Sequence, residues 1–255
     1  MKKIGGSLRH LRREQAPRYW PILKKEYVWT VKPSPGPHPI DRSIPLAILI
    51  REVLGYAKNM REARRIIAQG KIKVDGVVRK DYKFPVGLMD VIEIPETGEY
   101  YRIVPHPTKV LYPVQISSEE AQLKVCRING KTMVKGGNIQ LNLHDGRNIL
   151  IKLKNPAEPV EDTYKTYDSL LIKIPSQEIV EHIPFKVGSR VVIIQGRNVG
   201  TVGEVLEINQ IFKKSKSIVT IREEKTGNIV RTILEYSFPV PASTQITVVA
   251  GDENV

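Results

Sequence analysis

Residues 55–81 read GYAKNMREARRIIAQGKIKVDGVVRKD, and their local patterns decide the fold around them. Asn59 can cap a helix, and Glu62 stands three residues later, which is the spacing of a capping box. Gly70 is suited to end that helix, because glycine adopts the left-handed backbone of a helix C-terminus at little cost. Asp75-Gly76 then favours a two-residue hairpin turn. The stretch predicts a short helix followed at once by a β-hairpin.

The predicted helix has one apolar face and one basic face. Apolar side chains at helical spacing are expected to point inward: Met60, Ala63, Ile66 and Ile67. The opposite side projects three guanidiniums about one turn apart: Arg61, Arg64 and Arg65. The first strand of the hairpin adds Lys71 and Lys73 on one sheet face. Clustered cations of this kind favour an anionic partner, and the alternative is an ordinary solvated surface.

A helical pattern also precedes this stretch. Apolar residues recur there at spacings of three, four and seven: Leu46, Leu49, Ile50, Val53 and Leu54. The pattern predicts an amphipathic helix that Gly55 ends. Two helices and a hairpin would then form one small α+β unit.

Residues 1–42 are predicted to form a basic arm. They hold 10 basic and 3 acidic residues, whereas the whole chain of 255 residues has 40 Lys and Arg against 27 Asp and Glu. This much positive charge in a short segment exceeds what solubility requires and indicates a polyanionic partner. The cations expected to meet that partner are Lys2, Lys3, Arg9, Arg12, Arg13, Arg18, Lys24 and Lys25.

Four aromatic residues lie among these cations: Tyr19, Trp20, Tyr27 and Trp29. They could stack on the bases of RNA, or they could anchor the arm to its own domain. Anchoring is favoured, because a segment this polar needs large buried rings to become ordered. The arm is otherwise expected to contribute charge and little hydrophobic core, and the proline-rich residues 32–40 are expected to form an extended connector.

Helical periodicity ends near residue 106, and turn-forming pairs become frequent. Asn129-Gly130 and Asp145-Gly146 predict tight turns, and residues 139–143 and 149–153 predict strands around the second turn. Residues 156–168 hold two prolines and four acidic residues, which favours a surface loop. Because this central region is nearly neutral, a structural or protein-facing role is expected for it.

A further unit begins with FKVGSRVVIIQGRNVGTVGEVLEI at residues 185–208. Alternating apolar residues predict two strands with glycines around the turn between them, and further strands are predicted at 217–222 and 229–234. Arg197 and Asn198 in the turn can donate hydrogen bonds to phosphates or base edges. Gly188 and Gly203 either let the backbone approach a phosphate or merely permit tight turns, and both interpretations stay open.

Several classes of site are disfavoured. Cys126 is the single cysteine, so neither an intramolecular disulfide nor a thiolate zinc cluster is expected, and the isolated histidines argue against a metal site. Gly130-Lys131-Thr132 resembles the end of a phosphate-binding loop, but Val125 stands where that loop needs glycine. The longest apolar run, residues 44–50, is too short for a membrane span, and arginines interrupt the N-terminal segment where a secretion signal is apolar. A cytosolic protein is expected.

The patterns resemble known ribosomal families. The basic helix and hairpin at 55–81, with the helix before them, resemble the RNA-binding module of the ribosomal S4 type, whose second helix and hairpin face RNA. APRYW at 16–20, GPH at 36–38 and DYKFPVGLMDVIEI at 81–94 resemble the archaeal and eukaryotic small-subunit ribosomal S4e family. Residues 185–208 resemble a KOW motif within an SH3-like barrel.

The resemblance to the S4e family implies a multi-domain α+β fold. Its parts would be a basic N-terminal extension at 1–42, an S4-type module at 43–105, a central β domain at 106–175 and a KOW-containing SH3-like β-barrel with a C-terminal tail at 176–255. It implies a non-catalytic constituent of the small ribosomal subunit in the cytoplasm, which binds and stabilises folded ribosomal RNA and meets neighbouring ribosomal proteins. It implies no cofactor, no metal, no membrane and no homo-oligomer.

Two other functions stay open from the residues. An RNA-modifying enzyme of the pseudouridine synthase type also carries the helix-pair module, but it needs a catalytic aspartate in a GRLD-like motif, and HDGRN at 144–148 has a different order. A transcription elongation factor also uses a KOW barrel, but the strongly basic first 100 residues argue against that class.

Overall fold

Three antiparallel sheets of five strands each make up most of the computed structural model, which describes residues 9–23, 25–153 and 162–241. Two ribbons of two strands accompany them. Apart from short 3-10 turns, helical structure in the described ranges is confined to residues 46–68. Within those ranges no helix has both the length and the hydropathy that crossing a membrane requires.

The arm forms the first ribbon from β1 (Leu11–Arg12) and β2 (Trp29–Thr30), which pair antiparallel. Strand β3 (Ser43–Pro45) leads into α1 (Leu46–Ile48), and the helix continues as a π-helical turn over Leu49–Val53.

The first helix is more deeply buried than its sequence pattern indicates. Every residue from 43 to 50 is buried, so the helix start is apolar all round and the predicted amphipathic character is wrong there. Gly55 follows with a φ of +73°, as its predicted helix-ending role requires.

The second helix, α2 (Met60–Ala68), begins at the predicted cap. The Glu62 N–H donates to Asn59 Oδ1 at 2.9 Å, and the Lys58 N–H donates to Glu62 Oε2 at 2.9 Å. These two bonds satisfy backbone donors that a helix start leaves without partners. Ala63 and Ile67 are buried against the first helix, and Gly70 follows with a φ of +77°.

The predicted hairpin forms from β4 (Lys73–Val74) and β5 (Val77–Val78). Asp75 and Gly76 have φ values of +52° and +74°, and two successive positive values are what a type I′ turn requires. Three further strands follow the hairpin in the same sheet: β7 (Val91–Ile94), β8 (Glu99–His106) and β9 (Val110–Ile116). The strand order is β5-β4-β7-β8-β9, so the hairpin forms one edge. A separate short strand, β6 (Pro85–Gly87), pairs with β3 as the second ribbon.

The second sheet has strand order β12-β11-β10-β13-β14. Its strands are β10 (Leu123–Met133), β11 (Ile139–Leu143), β12 (Asn148–Ile151), β13 (Ser169–Lys173) and β14 (Glu178–Ile183). The strands predicted at 139–143 and 149–153 are confirmed as β11 and β12. Of the loop predicted at 156–168, residues 156–161 lie outside the described residues, and residues 162–168 contain neither helix nor strand, as predicted.

The turn predicted at Asn129-Gly130 is wrong, because both residues lie inside β10. The first half of β10 pairs with β13, and its second half pairs with β11 after a register shift between Ile128 and Gly130. A bulge of this kind bends a strand without reversing it. The Asn-Gly pair therefore lets one long strand change partners.

The third sheet has strand order β18-β17-β16-β15-β19. Its strands are β15 (Arg190–Ile193), β16 (Val202–Asn209), β17 (Ile218–Glu223), β18 (Ile229–Ile233) and β19 (Ser237–Pro239). The four strands predicted in this region correspond to β15 to β18.

The sheets divide the chain at later positions than the predicted domain boundaries. The boundary at 105/106 falls inside β8, which forms a hairpin with β9. The boundary at 175/176 falls between β13 and β14, which are also paired. The first sheet thus ends near residue 116 and the second near residue 183.

The arm is part of the hydrophobic core, which corrects the expectation that it contributes little to it. Trp20 is only 2% exposed and packs in the same cluster as the buried first helix. Its indole Nε1 donates to the Ser43 carbonyl at 2.8 Å, and the Tyr19 hydroxyl donates to the same oxygen at 3.0 Å. Ala16 and Val31 are buried in this cluster as well. The arm is therefore anchored at residues 16–20 and again at Val31, whereas residues 25–29 between them are exposed.

A buried group of ion pairs joins the arm, the first sheet and the second sheet. Lys124 on β10 is fully buried, and its Nζ lies 2.6 Å from both Asp75 and Asp90. The same ammonium lies 3.0 Å from Asp145 in the β11–β12 turn. His38 of the arm lies 3.1 Å from Asp90. We call this group, together with Arg147 at 2.7 Å from Asp75, the Lys124 cluster.

For three members of the Lys124 cluster the attraction between opposite charges outweighs the cost of burial, whereas burial dominates at Asp75 and raises its pKa. Burial lowers the pKa of Lys124, but Asp75 and Asp90 raise it well above the usual value. Burial likewise raises the pKa of Asp90, but His38 and Lys124 bring it far below the usual range. The pKa of Asp145 is lowered to about 2, because Lys124 and the other charged neighbours together outweigh the effect of burial. Lys124, Asp90 and Asp145 are therefore charged at neutral pH.

Replacing Lys124 with methionine is expected to destabilise the protein by at least about 3 kcal/mol, because three carboxylates would lose their buried counter-ion. Urea unfolding followed by circular dichroism measures this loss. Lys131→Met is the matched control, since its ion pair with Asp162 is partly exposed and is expected to contribute less than about 1 kcal/mol. Equal stability of the two variants would contradict the structural role of the Lys124 cluster.

Folding is also expected to depend on the protonation of His144. Burial lowers the pKa of His144 to about 3 from an ordinary value of 6.5, and its Nδ1 accepts from the Arg127 N–H at 3.2 Å. In the unfolded chain His144 takes up a proton near pH 6.5, whereas in the folded chain it stays neutral until the pH approaches 3. The contribution of His144 to stability is therefore fully present above pH 6.5 and is lost as the pH falls toward 3.

Between pH 7 and pH 5, the wild-type free energy of unfolding is expected to fall by about 2 kcal/mol more than that of a His144→Asn variant. Urea unfolding at each pH measures the difference. His10→Asn changes an exposed histidine and should leave the wild-type pH dependence as it is. Parallel curves for wild type and His144→Asn would refute the assignment.

Candidate nucleic-acid interface

The basic face of α2 is exposed as predicted. Arg61, Arg64 and Arg65 are all exposed, while Ala63 and Ile67 on the other side of the helix are buried. In the described part of the chain none of the three guanidiniums forms an ion pair with a carboxylate. The face therefore presents three uncompensated positive charges to an external partner.

Arg64 is held in place by an aromatic ring. Its guanidinium carbon lies 4.4 Å from the centroid of the Tyr82 ring, and the Lys83 ammonium lies 5.5 Å from the same centroid. Cations at these distances are attracted to the face of the ring. Tyr82 thus fixes two cations beside each other without neutralising either of them.

The hairpin lysines have partners within the protein. Lys71 lies 3.0 Å from Glu96, and Lys73 lies 2.9 Å from Glu93 on the neighbouring strand β7. Each charge is therefore already compensated locally, unlike those on α2. A role for Lys71 and Lys73 in binding RNA stays a prediction.

The arm cations divide into structural and exposed ones. Arg13 is half-buried and donates through Nε and Nη2 to the Ile22 carbonyl at 3.2 and 2.7 Å, so it helps fold the arm. Arg12 lies 5.8 Å from the centroid of the Trp29 ring. Three further predicted cations are exposed: Arg9, Arg18 and Lys25. Lys2, Lys3 and Lys24 lie outside the described residues.

The four arm aromatics have two different roles. Trp20 and Tyr19 anchor the arm, and burial raises the pKa of Tyr19 to about 12. Tyr27 and Trp29 are 57% and 55% exposed. The prediction that the rings anchor the arm is therefore confirmed for Tyr19 and Trp20 and wrong for Tyr27 and Trp29. The second pair stays accessible to solvent.

A groove of about 1070 Å³ runs between the arm and the helical region. We call it the arm–helix groove and define it by six of its lining residues: Tyr27, Trp29, Lys58, Arg64, Tyr82 and Lys83. Two of these cations, Lys58 and Lys83, are not evident from the helical pattern. The only indication in the sequence is that Lys83 directly follows an aromatic residue.

The loop between β15 and β16 holds the two predicted binding residues of the third sheet. Arg197 is exposed and Asn198 is half-buried. A Cβ on Gly203 would come within 2.2 Å of the Arg222 carbonyl oxygen, so this glycine permits close strand packing. Gly188 has a φ of +84° and no crowded neighbour, which indicates a tight turn. Both glycines thus have structural reasons for being there.

One group of possible metal ligands was not predicted. A ligand atom from each of Cys126, His144 and Asp145 lies within 4.8 Å of the others. The group does not suit a cation, because the Lys124 ammonium already lies 3.0 Å from Asp145 and the His144 ring nitrogens bond to backbone groups. Burial raises the pKa of the Cys126 thiol, so this thiol is also a poor nucleophile.

Comparison with protein families covers the chain in three parts. The RS4NT domain matches residues 5–41, the S4 domain matches residues 45–92, and the Ribosomal family S4e matches residues 97–179. The crystal structure of 30S ribosomal protein S4e from Thermoplasma acidophilum superposes with a TM-score of 0.65 at 31% identity. The match covers 82% of this chain and 100% of that one.

Curated relatives align over almost the full length. "Small ribosomal subunit protein eS4" of Staphylothermus marinus is 58% identical over 240 residues, which is 94% of both chains. The protein of the same name from Ignicoccus hospitalis is 55% identical over 241 residues, again 94% of both. Since the family domains, the fold and the relatives agree along the chain, it belongs to the ribosomal S4e family, whose curated members are named small ribosomal subunit protein eS4.

Proposed function

We propose that this chain is a structural constituent of the small ribosomal subunit that binds and stabilises folded ribosomal RNA. The exposed face of Arg61, Arg64 and Arg65 on α2 carries this proposal, because none of its three charges is paired with a carboxylate among the described residues. The high identity to small-subunit proteins over 94% of the chain supports the same partner. These relatives are not enzymes, and they favour neither an RNA-modifying enzyme nor a transcription elongation factor.

The arm contributes to this function as a second basic surface. Its buried anchors, Trp20 and Tyr19, hold exposed cations such as Arg12 next to the helical region. Two basic surfaces at a fixed separation can bridge phosphates from different parts of a folded RNA. The arm thus holds its cations at a fixed distance from those of α2, so that both surfaces can bind the same folded RNA.

The C-terminal sheet acts as a smaller accessory unit. Its five antiparallel strands and the sequence at 185–208 support a KOW-containing SH3-like barrel, with Arg197 and Asn198 directed at RNA. The nearly neutral second sheet meets neighbouring ribosomal proteins. The whole chain works in the cytoplasm, on the ribosome, without forming a homo-oligomer.

Crosslinking in cells, followed by sequencing of the attached RNA, tests this function. Reads concentrated in small-subunit ribosomal RNA are the expected result. Reads spread over messenger RNA, or co-purification with RNA polymerase instead of small subunits, would overturn the proposal.

Replacing both Arg64 and Arg65 with alanine is expected to make RNA binding less dependent on salt. Each lost phosphate contact lowers the slope of log K against log salt by about 0.7, so the double variant should show a slope smaller by about one to two units. Filter binding to small-subunit ribosomal RNA between 50 and about 300 mM salt measures the slope.

The control for this measurement is Lys135→Ala with Lys173→Ala, which removes two exposed cations from the nearly neutral second sheet. Its slope should stay close to that of the wild type. If the two double variants lose equal slope, the effect reflects net charge alone, and the α2 face has no special role.

A further inference from the structure

The arm–helix groove combines an exposed indole with cations on the opposite wall. Trp29 lies on β2, where it pairs with Arg12 of β1. The Arg12 guanidinium lies 5.8 Å from the Trp29 ring centroid, and the His10 ring lies 5.5 Å away at an angle of 56°. The ring is therefore held by neighbours although it is 55% exposed. A ring that is fixed but exposed loses little entropy when it stacks on a ligand.

The opposite wall carries positive charge. Lys58 is exposed just before α2, and Arg64 is exposed on its basic face. The Lys83 ammonium contacts the same Tyr82 ring as the Arg64 guanidinium. Among the described residues that line the groove, the acidic ones are Glu26 and Glu52, and Glu52 is already paired with Arg51. The charge balance of the groove thus favours an anion.

The shape and chemistry of the groove fit an unpaired nucleotide. Its volume of about 1070 Å³ exceeds that of most small-ligand pockets, so one base with its flanking phosphates can enter. Proteins that bind single-stranded RNA combine aromatic rings that stack on bases with cations that follow the backbone. A paired duplex offers phosphates but no free base face, so it would use only the cations.

We propose that the arm–helix groove binds an unpaired nucleotide of RNA, with its base stacked on Trp29 and its phosphates held by Lys58, Arg64 and Lys83. This inference rests on the proposed function and specifies what part of the RNA this site takes. It also gives a reason for the two exposed aromatics of the arm, which the anchoring role of Trp20 and Tyr19 leaves unexplained.

The fluorescence of the full-length chain provides a direct test, because the protein has two tryptophans. Trp20 is buried and should give a constant background, whereas Trp29 should be quenched when a base stacks on it. A short single-stranded oligoribonucleotide is expected to quench, and a duplex with the same number of phosphates is not. Equal quenching by both probes would overturn the proposal.

Two substitutions separate stacking from simple apolar contact. Trp29→Leu keeps apolar volume but removes the ring, so affinity for the single strand should fall at least about fivefold. Trp29→Phe keeps a ring and should retain most of the affinity while losing the fluorescence change. Because neither substitution changes the charge of the protein, the salt dependence of binding should stay unchanged in both variants.

Phe212→Leu is the matched control, since Phe212 is a fully exposed aromatic on the β16–β17 loop and does not line the arm–helix groove. Its affinity should stay near that of the wild type, and an equal loss in Phe212→Leu and Trp29→Leu would overturn the proposal.

If the Arg64 and Arg65 variant flattens the salt dependence but Trp29→Leu binds normally, the groove inference fails and the proposed function stands. If neither change affects RNA binding, the proposed function fails as well.

Discussion

The buried ammonium of Lys124 is the interaction on which the arrangement of the molecule depends. It lies among carboxylates from three places in the chain: Asp75 in the hairpin turn, Asp90 before β7 and Asp145 in the second sheet. A charge of this kind is costly to bury without partners, so the three segments must meet for it to be accommodated. His38 brings the arm to the same point through Asp90. One side chain thus sets how the arm, the first sheet and the second sheet face one another.

This junction supports the RNA-facing surface from behind. Asp75 belongs to the β4–β5 turn, which follows α2 almost directly, so fixing that turn also limits the orientation of the arginine face. The bond from the Trp20 indole to the Ser43 carbonyl holds the arm against the start of the first helix. Cations that are far apart in sequence therefore line one groove at fixed positions. A preorganised surface of this kind loses less entropy when RNA binds.

The structure also distinguishes charges that look alike in the sequence. Lys73 and Arg64 both lie in the basic stretch, yet Lys73 is paired with Glu93 and Arg64 is not paired with any carboxylate among the described residues. The glutamate lies on a strand twenty residues away, so no local pattern reveals the pairing. The two exposed arm aromatics differ from the two anchors for a similar reason. Only the position of Ser43 in space decides which rings it can hold.

The sequence by itself determined the elements whose stabilising contacts are local. The Asn59 cap, the glycine after α2 and the Asp75-Gly76 turn depend on atoms only a few residues apart, so their patterns could be recognised. Only the tertiary structure decided that Asn129-Gly130 bends a strand instead of turning, that the arm enters the core, and that Lys124 joins three segments. The last two outcomes depend on partners as far as 23 and 49 residues away, and burial there outweighs local preference.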